Sequence, residues 1–97
     1  MAGVIPSDGE EVAASFDLLP RGSVLYVTDR RVVVESDGAL LLEIPIDRIE
    51  SCSSRKRRLG VVWRDGGRVR ASLVLDKMPA AAAESAVFAA AGAGGYR

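Results

Sequence analysis

The chain has 97 residues, 48% of them hydrophobic and 5% aromatic, and its thirteen cationic side chains balance thirteen acidic ones. That length makes one domain with an aliphatic core, burying about 60–70% of its unfolded surface, and the hydrophobic content excludes a disordered chain. Histidine is absent, so the usual general base near neutral pH is missing, and the zero net charge argues against a nucleic-acid binder.

The charges are unevenly spread. Met1 to Asp47 holds nine acids and three bases, whereas Arg48 to Arg70 holds eight bases and two acids. Whether this makes the folded molecule dipolar depends on strand order. Cys52 is the only cysteine, so no intrachain disulfide forms, which fits a reducing, cytoplasmic setting. The N-terminus has no basic, apolar leader, so no signal peptide is expected. The stretch Met78 to Gly95 is mostly Ala and Gly around Glu84. A central acid costs about 2.5–3.5 kcal/mol on membrane insertion, so this stretch reads as a soluble helix with no transmembrane segment.

Along the chain, Met1 to Asp8 is a lead-in ending in the turn formers Pro6, Ser7 and Asp8. Glu11 to Leu19 alternates loosely as a strand would, with Val12, Ala14, Phe16 and Leu18 on one face; its Glu, Ala and Leu content leaves a short helix open. Pro20-Arg21-Gly22 stops either element. Ser23 to Thr28 and Arg31 to Glu35 are β-branched strands. Ser36-Asp37-Gly38 predicts a tight hairpin, since Asp-Gly supplies the positive φ such turns need. Ala39 to Ile46 is a strand apolar on both faces for part of its length, with Pro45 confined to an end or an edge. Ile49 to Ser54 and Leu59 to Arg64 are strands on either side of the basic run Arg55-Lys56-Arg57-Arg58. Asp65-Gly66-Gly67 is another hairpin turn. Arg68 to Leu75 alternates cleanly, with Val69, Ala71, Leu73 and Leu75 inward. The period then changes: Asp76 is placed to act as N-cap, Pro79 suits the first turn, and Ala80 to Ala91 is a helix that Gly92 ends before a loose tail, 92–97.

No enzyme is expected. The serines lack a nucleophile-elbow or Ser-Lys context, Cys52 reads as a small strand residue, and nothing is spaced to hold a metal, phosphate or other cofactor. Trp63 reads as core. The sharpest functional feature is Arg55, Lys56, Arg57 and Arg58. It lacks interleaved aromatics for stacking on bases. Arg64, Arg68 and Arg70 flank the second hairpin and either extend the basic face or coat a solvent face.

Gly9-Glu10-Glu11-Val12, the run Gly22-Ser23-Val24-Leu25-Tyr26-Val27-Thr28-Asp29-Arg30-Arg31-Val32-Val33-Val34, and Leu42-Glu43-Ile44-Pro45-Ile46-Asp47-Arg48-Ile49 resemble the GRAM branch of the pleckstrin-homology superfamily. The resemblance covers residues 9 to 91. It implies a mainly β fold: a seven-stranded, bent antiparallel sheet or partly open barrel, capped by one C-terminal helix. It implies that the helix plugs the open end through Val87 and Phe88, in which case removing a fully buried Phe88 would cost about 3–5 kcal/mol. It also places the basic run beside Arg21 and the Ser36-Asp37-Gly38 turn, at the end where some family members bind lipid headgroups. Two functions follow as expectations. The first is a protein-interaction module, self-association included. The second is peripheral attachment to anionic lipid through Arg55 to Arg58.

Overall fold

The computed structural model describes residues 9–93; the expected lead-in over residues 1–8 and the end of the expected tail, 94–97, lie outside them. The strands are β1 (Val12–Leu19), β2 (Ser23–Thr28), β3 (Arg31–Ser36), β4 (Ala39–Pro45), β5 (Ile49–Arg55), β6 (Arg58–Arg64) and β7 (Arg68–Leu75), followed by one helix, α1 (Ala80–Ala93). A short 3-10 turn, Ile46–Arg48, joins β4 to β5. The fold is therefore mainly β with a C-terminal helix, as the sequence implies.

All seven strands belong to one antiparallel sheet in the order β4-β3-β2-β1-β7-β6-β5, which is not closed and, among the described residues, leaves β4 and β5 as edges. Glu11 to Leu19 resolves as a strand. Its rival, a short helix, loses because the segment lines up with β2 from Val12 opposite Thr28 to Leu18 opposite Ser23, putting Phe16 and Leu18 on the core side. β1 and β7 meet only at Leu18 opposite Leu75 and Leu19 opposite Val74. Elsewhere they diverge.

One hydrophobic cluster draws side chains from both edge strands, Ile44 of β4 and Cys52 of β5, so the sheet curls around it. Leu25, Val27, Val32, Leu59, Val61 and Leu75 are its solvent-free centre, with Trp63 also buried. The helix packs on β5, β6, β1 and β2 and presents Ala80, Ala83, Val87, Ala90 and Ala91 inward. These residues recur at three- and four-residue intervals, and their small size lets the helix axis approach the sheet closely.

Three expectations for the helix need correction. Phe88 does not plug the sheet: it is 54% exposed, while Val87 is 1% exposed. One residue is about 100° of helix, so both cannot face the same wall. Asp76 is not the N-cap. It lies four residues before the first helical residue, and its N–H is spent on the Asp17 carbonyl at 2.9 Å. Gly92 does not end the helix, which runs on to Ala93.

The turns follow their residues. Asp37 and Gly38 both have positive φ, 52° and 82°, as a two-residue hairpin of this hand requires. At the opposite end of the sheet, Glu10 is sealed beneath the β2–β3 turn. The Thr28 hydroxyl donates to its Oε2 at 2.6 Å, and Arg31 reaches both its oxygens at 2.8 Å, one from Nε and one from a terminal nitrogen. Arg31 also donates to Glu43 at 2.8 Å. Hydrogen bonding to Glu10 drives the Arg31 guanidinium further toward the protonated form.

Candidate functional site

The β-ladders decide which loops share an end of the molecule. Arg58 lies opposite Val74, and Val74 opposite Leu19; one residue along, Leu18 faces Ser23, Ser23 faces Ser36, and Ser36 faces Ala39. The β5–β6 hairpin, the Pro20-Arg21-Gly22 connection and the Asp37-Gly38 turn therefore stand at one end of the sheet.

At that end the basic run forms a two-residue hairpin. Arg55 and Arg58 are the last pair of the β5–β6 ladder, and Lys56 and Arg57 make the turn. All four side chains are exposed. They line a hollow of ≈ 310 Å³ with Val74. The backbone of the turn is pinned on two sides. The Lys56 carbonyl accepts from the Ala80 N–H at 2.7 Å, and the Arg57 carbonyl accepts from the Leu75 N–H at 2.8 Å. The tip is thereby held between the end of β7 and the start of α1. No acidic residue occupies the first turn of α1. The positive end of the helix dipole adds to the field of the cations.

This hairpin carries two local costs. Like charges sit directly opposite at Arg55 and Arg58, which destabilises a ladder. Lys56 has a φ of 55°, a region that costs a side chain bearing Cβ about 1–2 kcal/mol. None of Arg55, Lys56, Arg57 or Arg58 forms an ion pair with another described residue. A segment that breaks local rules without compensation inside the fold is where function is to be sought.

The other basic candidates are not part of this tip. Arg21 is at the same end but lines a separate hollow with Lys77, Asp17 and Asp76. Arg64 and Arg68 lie at the far end of the β6–β7 hairpin, about 20 Å from Arg58 along a strand rising ~3.3 Å per residue. Both are engaged there: Glu50 accepts from Arg64 at 2.7 Å and from Arg68 at 3.1 Å. These two bonds, that to Arg64 foremost, hold the Glu50 carboxyl below its ordinary range. Arg70 is exposed in the middle of β7, opposite Val62. The structure thus does not extend the basic face of the tip through Arg64 and Arg68.

Strand order segregates the charges along the sheet. The β4-β3-β2-β1 side, residues 9–45, carries Glu10, Glu11, Asp17, Asp29, Glu35, Asp37 and Glu43 against three cations. The β7-β6-β5 side, residues 49–75, carries seven cations against Glu50 and Asp65.

Cys52 is buried, and that burial, with Glu84 nearby, pushes its thiol up to about 11. The thiolate is the reactive form, so this side chain is poorly placed as a nucleophile. Ser54 donates to Glu84 at 2.6 Å, tying β5 to the helix. Among the described residues, no group of three or more side chains is placed to hold a metal ion, and no helix is long and apolar enough to cross a membrane.

One feature escaped the sequence reading. Glu35 is 9% exposed, and its Oε2 is buried without a hydrogen-bond partner. It follows three valines in β3, and only its charge within an apolar run signalled it. No protein-family model and no curated protein matches this chain.

Proposed function

We propose that this chain is a non-catalytic binding module of the pleckstrin-homology-like, GRAM-like kind, working in the cytoplasm, that docks an acidic protein surface through Arg55, Lys56, Arg57 and Arg58. One observation carries the proposal: four cations stand exposed at a rigid tip, unpaired among the described residues. Gathering them costs mutual repulsion that water and salt screen only in part, because the four charges lie within about one Debye length of one another, and an anionic partner relieves it. Carboxylates of a protein partner suit the arginines, whose planar forks take them two bonds at a time.

The alternative is the headgroup layer of an anionic membrane, to which each cation would add about 1 kcal/mol. It is favoured by Leu19, which is 40% exposed and adjoins Val74 in the row that ends at Arg58. It is opposed by Asp37 and Asp17, exposed carboxylates at the same end, which an anionic surface would repel. A protein partner need engage only the tip.

Binding to poly-glutamate and to phosphatidylcholine–phosphatidylserine vesicles at low salt separates the two. The wild type should bind poly-glutamate, and a variant carrying Arg55→Ser, Lys56→Ser, Arg57→Ser and Arg58→Ser should lose that binding about tenfold or more. Equal binding by both proteins would remove the tip as the site. Strong vesicle binding with none to poly-glutamate would replace the protein partner with the membrane.

A further inference from the structure

The outer face of β5, β6 and β7 carries a pattern that the tip alone does not explain. Cys52, Leu59, Val61 and Leu75 point into the core, so the residues alternating with them point out. The ladders set these outward residues in rows across the strands. Arg55, Arg58 and Val74 form one row, Ser53, Gly60 and Ser72 the next, and Ser51, Val62 and Arg70 the third. A fourth row closes the face, with Arg64 and Arg68 held by Glu50, the only acid within these three strands.

Gly60 is the anomaly. It lies in the middle of a strand, where glycine costs about 0.5–1 kcal/mol relative to alanine. Three internal reasons would justify it: a left-handed backbone, a bulge, or the close approach of another part of the chain. None applies. Its φ is not positive, and both ladders keep their register through it. A Cβ at Gly60 would meet only the Ser53 Oγ within 4 Å, at 3.4 Å, an ordinary contact. The remaining reason is a ligand whose own backbone comes close to the sheet.

The surroundings of Gly60 say what that ligand is. On either side, about 5 Å away across the strands, stand the exposed residues Ser53 and Ser72. None of Ser53, Ser72 and Arg70 forms a side-chain hydrogen bond or ion pair with another described residue. Along β6 the rows of Arg58 and Arg70 are four residues apart, about 13 Å. An extended chain covers that distance in four residues and turns its first and fifth side chains the same way. Ser53 and Ser72 lie about 10 Å apart, two strand spacings, so an α-helix about 10–12 Å wide does not fit between them. Trp63 points inward, so the face offers no aromatic platform for a nucleic-acid base. We infer that the acidic partner presents an extended segment, which lies along β6 over Gly60. One of its carboxylates meets Arg55 and Arg58, a second meets Arg70, and its backbone takes hydrogen bonds from Ser53 and Ser72. The inference rests on the tip being a carboxylate site, and it defines the form of the partner.

Fluorescence anisotropy with labelled poly-glutamate at pH 7 and low salt tests this, since self-repulsion keeps that chain extended. Valine suits a strand and its Cβ finds ordinary space, so Gly60→Val should unfold in urea no earlier than the wild type. It removes no charge, yet it should weaken binding about tenfold. Gly60→Ala adds a single methyl group and should fall between the two. Arg70→Ser should weaken binding about three- to fivefold, as one exposed ion pair allows. Arg21→Ser loses the same charge from a separate hollow and should bind as the wild type does.

Wild-type affinity in Gly60→Val and Arg70→Ser, with binding lost in the fourfold Ser tip variant, would overturn the inference and leave the tip proposal standing. Equal losses in Arg70→Ser and Arg21→Ser would also overturn it, because net charge alone would then set affinity. A wild type that does not bind poly-glutamate would remove the tip proposal and this inference together. Tighter binding of single-stranded DNA than of poly-glutamate would assign the face to nucleic acid and overturn the acidic segment.

Discussion

Val87 and Phe88 are neighbours in α1 that face opposite environments, so truncating them should have unequal consequences. Val87 is 1% exposed, within the Ala-lined face that closes the sheet. Val87→Ala removes two methyl groups, worth about 1.6 kcal/mol at ~0.8 kcal/mol each. The cavity left in a tightly packed interface adds about 1 kcal/mol. Alanine's better helix propensity returns about 0.5 kcal/mol, for a net loss of about 2 kcal/mol. In a domain this small that lowers Tm by about 8–16 °C. Phe88 is 54% exposed, so Phe88→Ala forfeits less than half of a large transfer term and recovers the same propensity gain. Its net cost should stay below about 1 kcal/mol. Urea unfolding followed by the fluorescence of Trp63, the single tryptophan and a buried one, reads both variants. The midpoint should shift at constant slope. A Phe88→Ala loss equal to or larger than that of Val87→Ala would show that Phe88 is the plug and that the helix is rotated from the orientation described.

Other consequences follow from the buried and paired charges. Glu10→Ala should cost about 3–5 kcal/mol in the same melts, because it strips Arg31 and Thr28 of a fully buried acceptor; a loss under about 1 kcal/mol would mean the pair is dispensable. Cys52 should react with iodoacetamide at pH 8 about 100-fold more slowly in the native protein than in urea, given a thiol raised to about 11 from an ordinary 9.0. Equal rates would place it at the surface. Glu50 titrates below its ordinary value of 4.5 because of Arg64 and then Arg68. Its contribution to stability is therefore fully present above about pH 4.5 and is lost as pH falls through the lowered folded value. Glu50→Gln should be less stable than the wild type at pH 7, and the two should converge at strongly acid pH. A difference that does not change with pH would show that the pairs with Arg64 and Arg68 contribute nothing.

Much of the architecture could be read from residues that act locally. The valines of β2 and β3 favour extended backbone whatever surrounds them. Asp37-Gly38 specifies its hairpin because few residue pairs accept positive φ in succession. The basic run could be placed at a strand tip because apolar, strand-forming segments lie on both sides of it. What failed was each point where burial had to be ranked without a local contrast. In an alanine-rich helix almost every face is small and apolar, so periodicity could not separate Val87 from Phe88. Asp76 had the right chemistry for a cap, but β7 continues to Leu75 and its backbone was claimed by β1.

The sequence alone determined that strands, turns and one helix would form, and where, because these depend on backbone preferences within a few residues. Tertiary structure decided how the charges are deployed. The order β4-β3-β2-β1-β7-β6-β5 sets the acidic first half and the basic middle on consecutive halves of the sheet, which then curls until β4 and β6 line one hollow. Long-range pairing removed Arg64 and Arg68 from the basic tip by engaging them with Glu50. It also buried Glu35 beside two exposed leucines, a juxtaposition set by a bulge in the β3–β4 ladder. Burial and pairing are sums over neighbours distant in the chain, and such neighbours exist only once the sheet has curled around its core.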